Sequence, residues 1–239
     1  LLLLRAWLTT GEYHEAKRFA TQLLEDYRYR YNAEALWLFH LAYEATGDTQ
    51  QSGKMLKIII EFLNGQRAIS DENTLVFIGR ALLKAAVSDP KQVKENLFDR
   101  VLQSDPENRE ALLATGELAL AKRDFKLAGS TFTRAIGHYP EDADLLYGLA
   151  KAYAESDPSQ MEEPLHTAMF TNPDHIPSLL LQAHNQVDAE QYETAKGILK
   201  AIFKINPHHA GSWALQAAIH TVRNEPDKAR EARKSGLKY

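Results

Sequence analysis

The sequence contains no cysteine. Disulfides, thiol nucleophiles and Cys-ligated zinc are therefore excluded, while the redox compartment stays open. Long apolar runs are also missing. The opening Leu1 to Leu4 is too short for a signal-peptide core and has no basic segment before it. Nothing approaches the roughly 18 uninterrupted apolar residues of a spanning helix, so no membrane insertion is expected within this segment. Neither sign of charge dominates: 28 Lys and Arg face 32 Asp and Glu, a formal net charge of −4. That balance gives no broad attraction to nucleic acid, and none is expected as a partner. Helix formers dominate, and β-branched runs are nearly confined to Ile58-Ile59-Ile60.

Catalytic signatures are missing as well. There is no Walker loop, no dinucleotide-binding glycine fingerprint and no Gly-x-Ser-x-Gly elbow. The nine histidines are scattered, without an HExxH pair, and the adjacent His208 and His209 point apart in a turn. Acidic pairs such as Glu162-Glu163 fit a solvated helix face. No catalytic residue, cofactor or metal site is expected.

What is present is repetition. Asn108 to Asp142 reads as two short helices with a break at Lys122-Arg123-Asp124. Leu112, Gly116 and Ala119 mark the contact face of the first helix, and Phe125, Ala128, Phe132 and Ala135 that of the second. Prolines recur at Pro106, Pro140, Pro173 and Pro207, in steps of 34, 33 and 34 residues. A fixed period in that range is the signature of a stacked helical array. A helix pair of this length cannot bury both apolar faces alone, so each must lean on the next, with contacts only between neighbours.

The chain thereby resembles the tetratricopeptide repeat (TPR) family over essentially its whole length. The Gly-Glu-Tyr-His-Glu-Ala run at Gly11 to Ala16 matches the family's Gly-x-Tyr-x-x-Ala turn, and Trp213 stands where the family has its Trp. The resemblance implies an all-α fold: an α-solenoid of antiparallel helix pairs, about seven repeats and about 14 helices, curved into a right-handed superhelix. One solenoid is expected over 1–239, with units near 1–32, 33–65, 71–108, 109–142, 143–175, 176–209 and 210–239. An irregular insert is expected at 66–70. In the third unit Lys94 takes a place where a small residue is expected, which predicts looser packing of that pair. Because the chain starts inside a helical pattern without an initiator Met, we expect a piece of a larger, bacterial protein.

Family resemblance places the first helices on the concave face. The side chains expected along that groove are Arg5, then Trp37 and Leu41, then Asn73, Phe77, Arg80 and Lys84. Leu113 and Glu117, Tyr147 and Lys151, and Leu180 and His184 continue it. Trp37 and Tyr147 are the candidate anchors, since such rings offer much contact area at low entropy cost. Arg80, Lys84 and Lys151 could receive carboxylates. The plainer reading is that these are ordinary solvated helix residues. Family members that hold the C-terminal carboxylates of chaperones use Lys, Asn and Arg on consecutive first helices. The positions Trp37 and Leu41, Val76 and Arg80, Leu113 and Glu117 do not reproduce that set.

Tyr27 to Asn32, YRYRYN, interleaves bases with aromatics as single-strand-binding surfaces do. A loop whose tyrosines shield the end of a helix pair is the favoured reading. The expected function is a non-catalytic scaffold that binds a peptide or partner domain along the concave face. The alternatives are a docking or spacer module of a larger, secreted enzyme, and a self-association module forming a homodimer through its end repeats.

Overall fold

In a computed structural model of the chain, residues 1–64 and 71–237 are described, and the insert expected at 66–70 lies outside them. The described residues form helices and turns, with no strand among them. Seven antiparallel pairs follow one another. They are α1 (Leu2–Thr10) with α2 (Tyr13–Leu23), then, after the one-turn α3 (Tyr27–Arg30), α4 (Ala33–Ala45) with α5 (Thr49–Glu61). Next α6 (Glu72–Lys84) pairs with a helix in three parts: α7 (Pro90–Val93), one π-helical turn at Lys94–Phe98, and α8 (Asp99–Ser104). The remaining pairs are α9 (Arg109–Ala121) with α10 (Phe125–His138), and α11 (Ala143–Ser156) with α12 (Glu162–Thr171). Then come α13 (Ile176–Asp188) with α14 (Tyr192–Ile205), and α15 (Ala210–Val222) with α16 (Pro226–Gly236).

Local chemistry starts these helices at regular intervals. Asn32, Asp71, Asn108 and Asp142 each cap a first helix, their carboxamide or carboxylate oxygen accepting the N–H three residues on. Such a cap satisfies an otherwise orphaned donor and contributes about 1 kcal/mol. At α15 the role falls to a ring: His209 Nδ1 accepts from the Ser212 N–H at 3.2 Å. The turn that closes a first helix repeats too, in every pair but α11–α12, where Asp157 follows α11 at φ −150°. Gly11 and Gly47 occupy the left-handed region at φ +80° and +74°. Ala86, Arg123, Glu190 and Asn224 adopt the same conformation without being glycine, at φ 52°, 59°, 58° and 57°.

Packing is serial. Buried residues fall into a large cluster from α1 to the start of α9, a second around Phe132 on α9 to α11, a small third at the α11–α12 pair, and a fourth on α13 to α15. Phe132 shows how neighbours lock. A Cβ on Gly116 would stand 2.4 Å from its ring, and one on Gly148 2.3 Å. The ring thus fills a slot in its own pair and a slot in the next.

Two expectations need correcting. The pair α6–α8 is not loosely packed, because the π turn inserts an extra residue and turns Lys94 outward to Asp99, 2.8 Å away. Phe98 is buried instead, so close to α6 that a Cβ on Gly79 would lie 2.3 Å from it. Nor are contacts restricted to neighbours. Asn206, before α15, donates through Nδ2 to the Tyr13 hydroxyl at the start of α2, at 2.7 Å.

Candidate functional site

The first helices α4, α6, α9, α11 and α13 present consecutive side chains that meet from pair to pair. The Arg80 guanidinium of α6 sits 6.0 Å from the Trp37 ring of α4, and its Nη2 donates to Glu117 of α9 at 2.9 Å. Lys84 reaches back to Glu44 at 2.9 Å. Leu113 and Glu117 of α9, with Tyr147, Lys151 and Glu155 of α11, line a hollow of about 390 Å³. Tyr147, Lys151 and Glu155 then line a second, of about 630 Å³, with Leu180, His184 and Asp188 of α13. Pro177 belongs to both, so the two hollows are continuous along the face.

Of the thirteen residues expected in the groove, Trp37, Arg80 and Glu117 form one connected row, while Leu113, Glu117, Tyr147, Lys151, Leu180 and His184 line the hollows. Leu41 lies on α4, half-buried against the first core cluster. Phe77 does not face the groove: at 3% exposure it is part of that core, because α6 is covered on both sides by α5 and α9. Arg5 and Asn73 make contacts between pairs, Arg5 to Glu34 at 2.7 Å and Asn73 accepting from Asn108 at 3.0 Å.

Part of the electrostatics of the hollow comes from groups that the groove assignment left out, Arg109 and Asp144 among them. Arg109, at the start of α9, donates to Asp142 and to Asp144, each at 2.7 Å, and pairs with Glu110 at 2.8 Å. Burial opposes its charge, but these carboxylates win and the guanidinium is held above its ordinary range. The hydrogen bond with His175 at 3.2 Å, aided by Arg109, holds Asp144 far below the usual carboxylate range. Glu117 behaves oppositely. Burial pushes its carboxyl up, and nearby Asp144 and Glu110 add to this against the pull of Arg80. Its side chain is nevertheless 52% exposed. The two facts agree for a group inside a concavity, which water touches but the surrounding helices leave poorly solvated. Tyr147 stands between these regions, its ring 5.9 Å from that of His175 and 5.8 Å from the Lys151 ammonium.

On α4 a buried polar pair underlies Trp37. His40 is 1% exposed, its ring 5.2 Å from that of Trp37, with Nδ1 2.8 Å from the Ser52 hydroxyl. Its Nε2 has no hydrogen-bond partner among the described residues, and burial lowers its pKa below the ordinary value of 6.5. His40 and Ser52 hold the interhelical positions that Gly116 and Ala128 hold in the pair α9–α10. No spacing signal marks such a substitution in advance.

The YRYRYN stretch is accounted for locally. Arg28 grips Asp26 through Nε and Nη2 at 2.9 and 2.6 Å, and Arg30 Nε donates to the Leu24 carbonyl at 2.5 Å. Both bases close the turn after α2, leaving Tyr27 and Tyr31 on the surface. Among the described residues no cluster of three or more His, Asp or Glu is arranged to hold a metal, and no helix is long and apolar enough to cross a membrane.

A family model for the tetratricopeptide repeat matches residues 95–137, the stretch from the π turn through α10. No curated protein matches the sequence. Among solved structures, the chain is similar to TTC0263, a thermophilic TPR protein of Thermus thermophilus, at 17% identity. That likeness covers 70% of this chain and 90% of the other, with a TM-score of 0.62. A tetratricopeptide repeat protein of Parabacteroides merdae aligns over 98% of this chain and 89% of its own, at 14% identity and a TM-score of 0.65. The Cut9–Hcn1 hetero-tetramer of the APC/C gives a TM-score of 0.70 at 13% identity, over 93% of this chain and 42% of the other. At these identities the likeness is one of fold: an α-solenoid of helix pairs.

Proposed function

We propose that this chain, a tetratricopeptide-repeat protein, is a non-catalytic scaffold that holds a peptide or partner domain along its concave face. The pairs from 1 to 239 would act as one array of seven units. The observation that carries this reading is the continuity of the two hollows across α9, α11 and α13, with Tyr147 and Lys151 at their junction. Tyr147 supplies an amphipathic ring with little entropy to lose, and Lys151, its ammonium lying over that ring, offers its charge to a ligand carboxylate. The row Trp37–Arg80–Glu117 would extend the contact toward α4. TPR proteins are in general interaction scaffolds, and Cut9, similar in fold, is solved in a hetero-tetramer with Hcn1.

The test is affinity capture with the wild-type chain beside a Trp37→Ala, Arg80→Glu, Tyr147→Ala triple variant. Loss of one or more partners by the variant is the expected result, and equal recovery of every partner by both rejects the concave face. Self-association is the second reading, favoured by Leu2, 85% exposed on α1. Light scattering that shows the monomer mass of 27.0 kDa at all concentrations would remove it.

A further inference from the structure

Asn206 and Asn172 are the same residue in the same turn, one pair apart. Both have φ −135° and ψ 94°, both follow a second helix, and each accepts through Oδ1 the N–H two residues ahead. Local structure is therefore matched, yet Asn172 is exposed and Asn206 is 2% exposed. What covers Asn206 is the far end of the chain. Its Nδ2 donates to the Tyr13 hydroxyl at 2.7 Å, the Tyr13 and His208 rings lie 6.4 Å apart, and Gly11 backs onto its carboxamide. A Cβ at Gly11 would stand 2.3 Å from Asn206 Oδ1, so this close approach needs glycine there for space as well as for its φ of +80°. A small hollow of about 270 Å³ remains where these two turns meet the α4–α5 turn at Gly47.

We infer that the α1–α2 and α14–α15 turns form a clasp, Asn206 on Tyr13 and Gly11, that closes the array on itself and sets how widely the concave face opens. The physical reason is leverage. Elsewhere among the described residues the main contacts of each pair are with its neighbours, so small rotations at successive junctions add along a solenoid. A contact between residues 13 and 206 cancels that sum. The contacts of the clasp include a hydrogen bond, a tilted ring contact and the burial of one carboxamide, all confined to two turns. Opening it costs little beside unfolding, which makes it a two-state element within reach of thermal motion or of a ligand that prefers one state. While it is shut, a partner segment must enter the hollow along the axis of the coil.

The absence of native cysteine lets spin labels be placed at Arg18→Cys on α2 and Lys204→Cys on α14, both exposed sites, in the full chain. Pulsed electron double resonance then reads the separation across the clasp. The wild-type background is expected to give one narrow, short distribution. Asn206→Ala is expected to lengthen and broaden it, and Tyr13→Phe, which keeps the ring and removes only the hydroxyl, to do so to a smaller degree. Asn172→Ala, which removes the same turn away from the clasp, should leave it unchanged. Equal distributions in all four proteins overturn the inference. So does a wild-type distribution as broad as that of Asn206→Ala, or a matching shift in Asn172→Ala. The readout involves no ligand, so it stands or falls separately from the scaffold reading.

Discussion

The pairs α4–α5 and α9–α10 solve one packing problem in two ways. In α9–α10 the helices approach because Gly116 and Ala128 have no bulk to separate them, and Phe132 fills the space. In α4–α5 the corresponding places hold His40 and Ser52, joined by a hydrogen bond of 2.8 Å and sealed from water. The first solution is steric and indifferent to pH. The second depends on a polar bond inside the core, where an unmatched group is costly. One repeat framework can therefore carry junctions with different failure modes.

The largest expected effect lies at the steric junction. Phe132→Ala is expected to cost about 3–5 kcal/mol in urea unfolding, because one ring empties slots against both α9 and α11. Gly148→Ala, which overfills one of those slots, should cost about 1–3 kcal/mol, and the double variant less than the sum. Strict additivity would mean that the ring and the glycine do not share a slot.

The polar junction should respond to pH. Burial lowers His40 and His209 from the ordinary 6.5, so the unfolded chain takes up protons first as pH falls. Stability from this source is complete above about 6.5 and declines below it, toward the folded-state values. Asp144, held much lower still, keeps its charge through that window. The melting temperature should therefore drop between about pH 7 and pH 5. His40→Ala with Ser52→Ala should flatten the drop, and Phe132→Ala should leave its slope unaltered. An equal slope in all three would detach His40 from the effect.

The smallest effect belongs to the turns. Arg123 holds the left-handed conformation that glycine holds at Gly11 and Gly47. Arg123→Gly removes that strain, partly offset by the freedom glycine gains in the unfolded chain, and should stabilise by up to about 1 kcal/mol. A destabilised variant would show that the Arg123 side chain, over Phe125 and near Glu155, outweighs the strain.

Much of this fold is legible in the sequence, since helical periodicity and a step of 33 or 34 residues act within one unit. The face shared by Tyr147 and Lys151 follows from aligning the units. Less local features leave no such trace. Position 40 reads as one more residue of an amphipathic helix until Ser52 comes opposite it, and the π turn at Lys94–Phe98 shifts the register by one residue where a regular helix is expected. Phe77 sits on a first helix as the groove residues do, but burial against both neighbours removes it from the surface. The contact between Tyr13 and Asn206 joins residues 193 apart, a separation at which sequence periodicity carries no information about pairing.

Phe132, Gly116 and Gly148 bind three positions into one substitutional unit. The two glycines stand on first helices of successive pairs, yet any side chain added to either must be matched by a smaller residue at 132. Drift in one hairpin is thereby answered in the next, and a graft of α9–α10 into another array would carry its ring but leave behind the vacancy it requires.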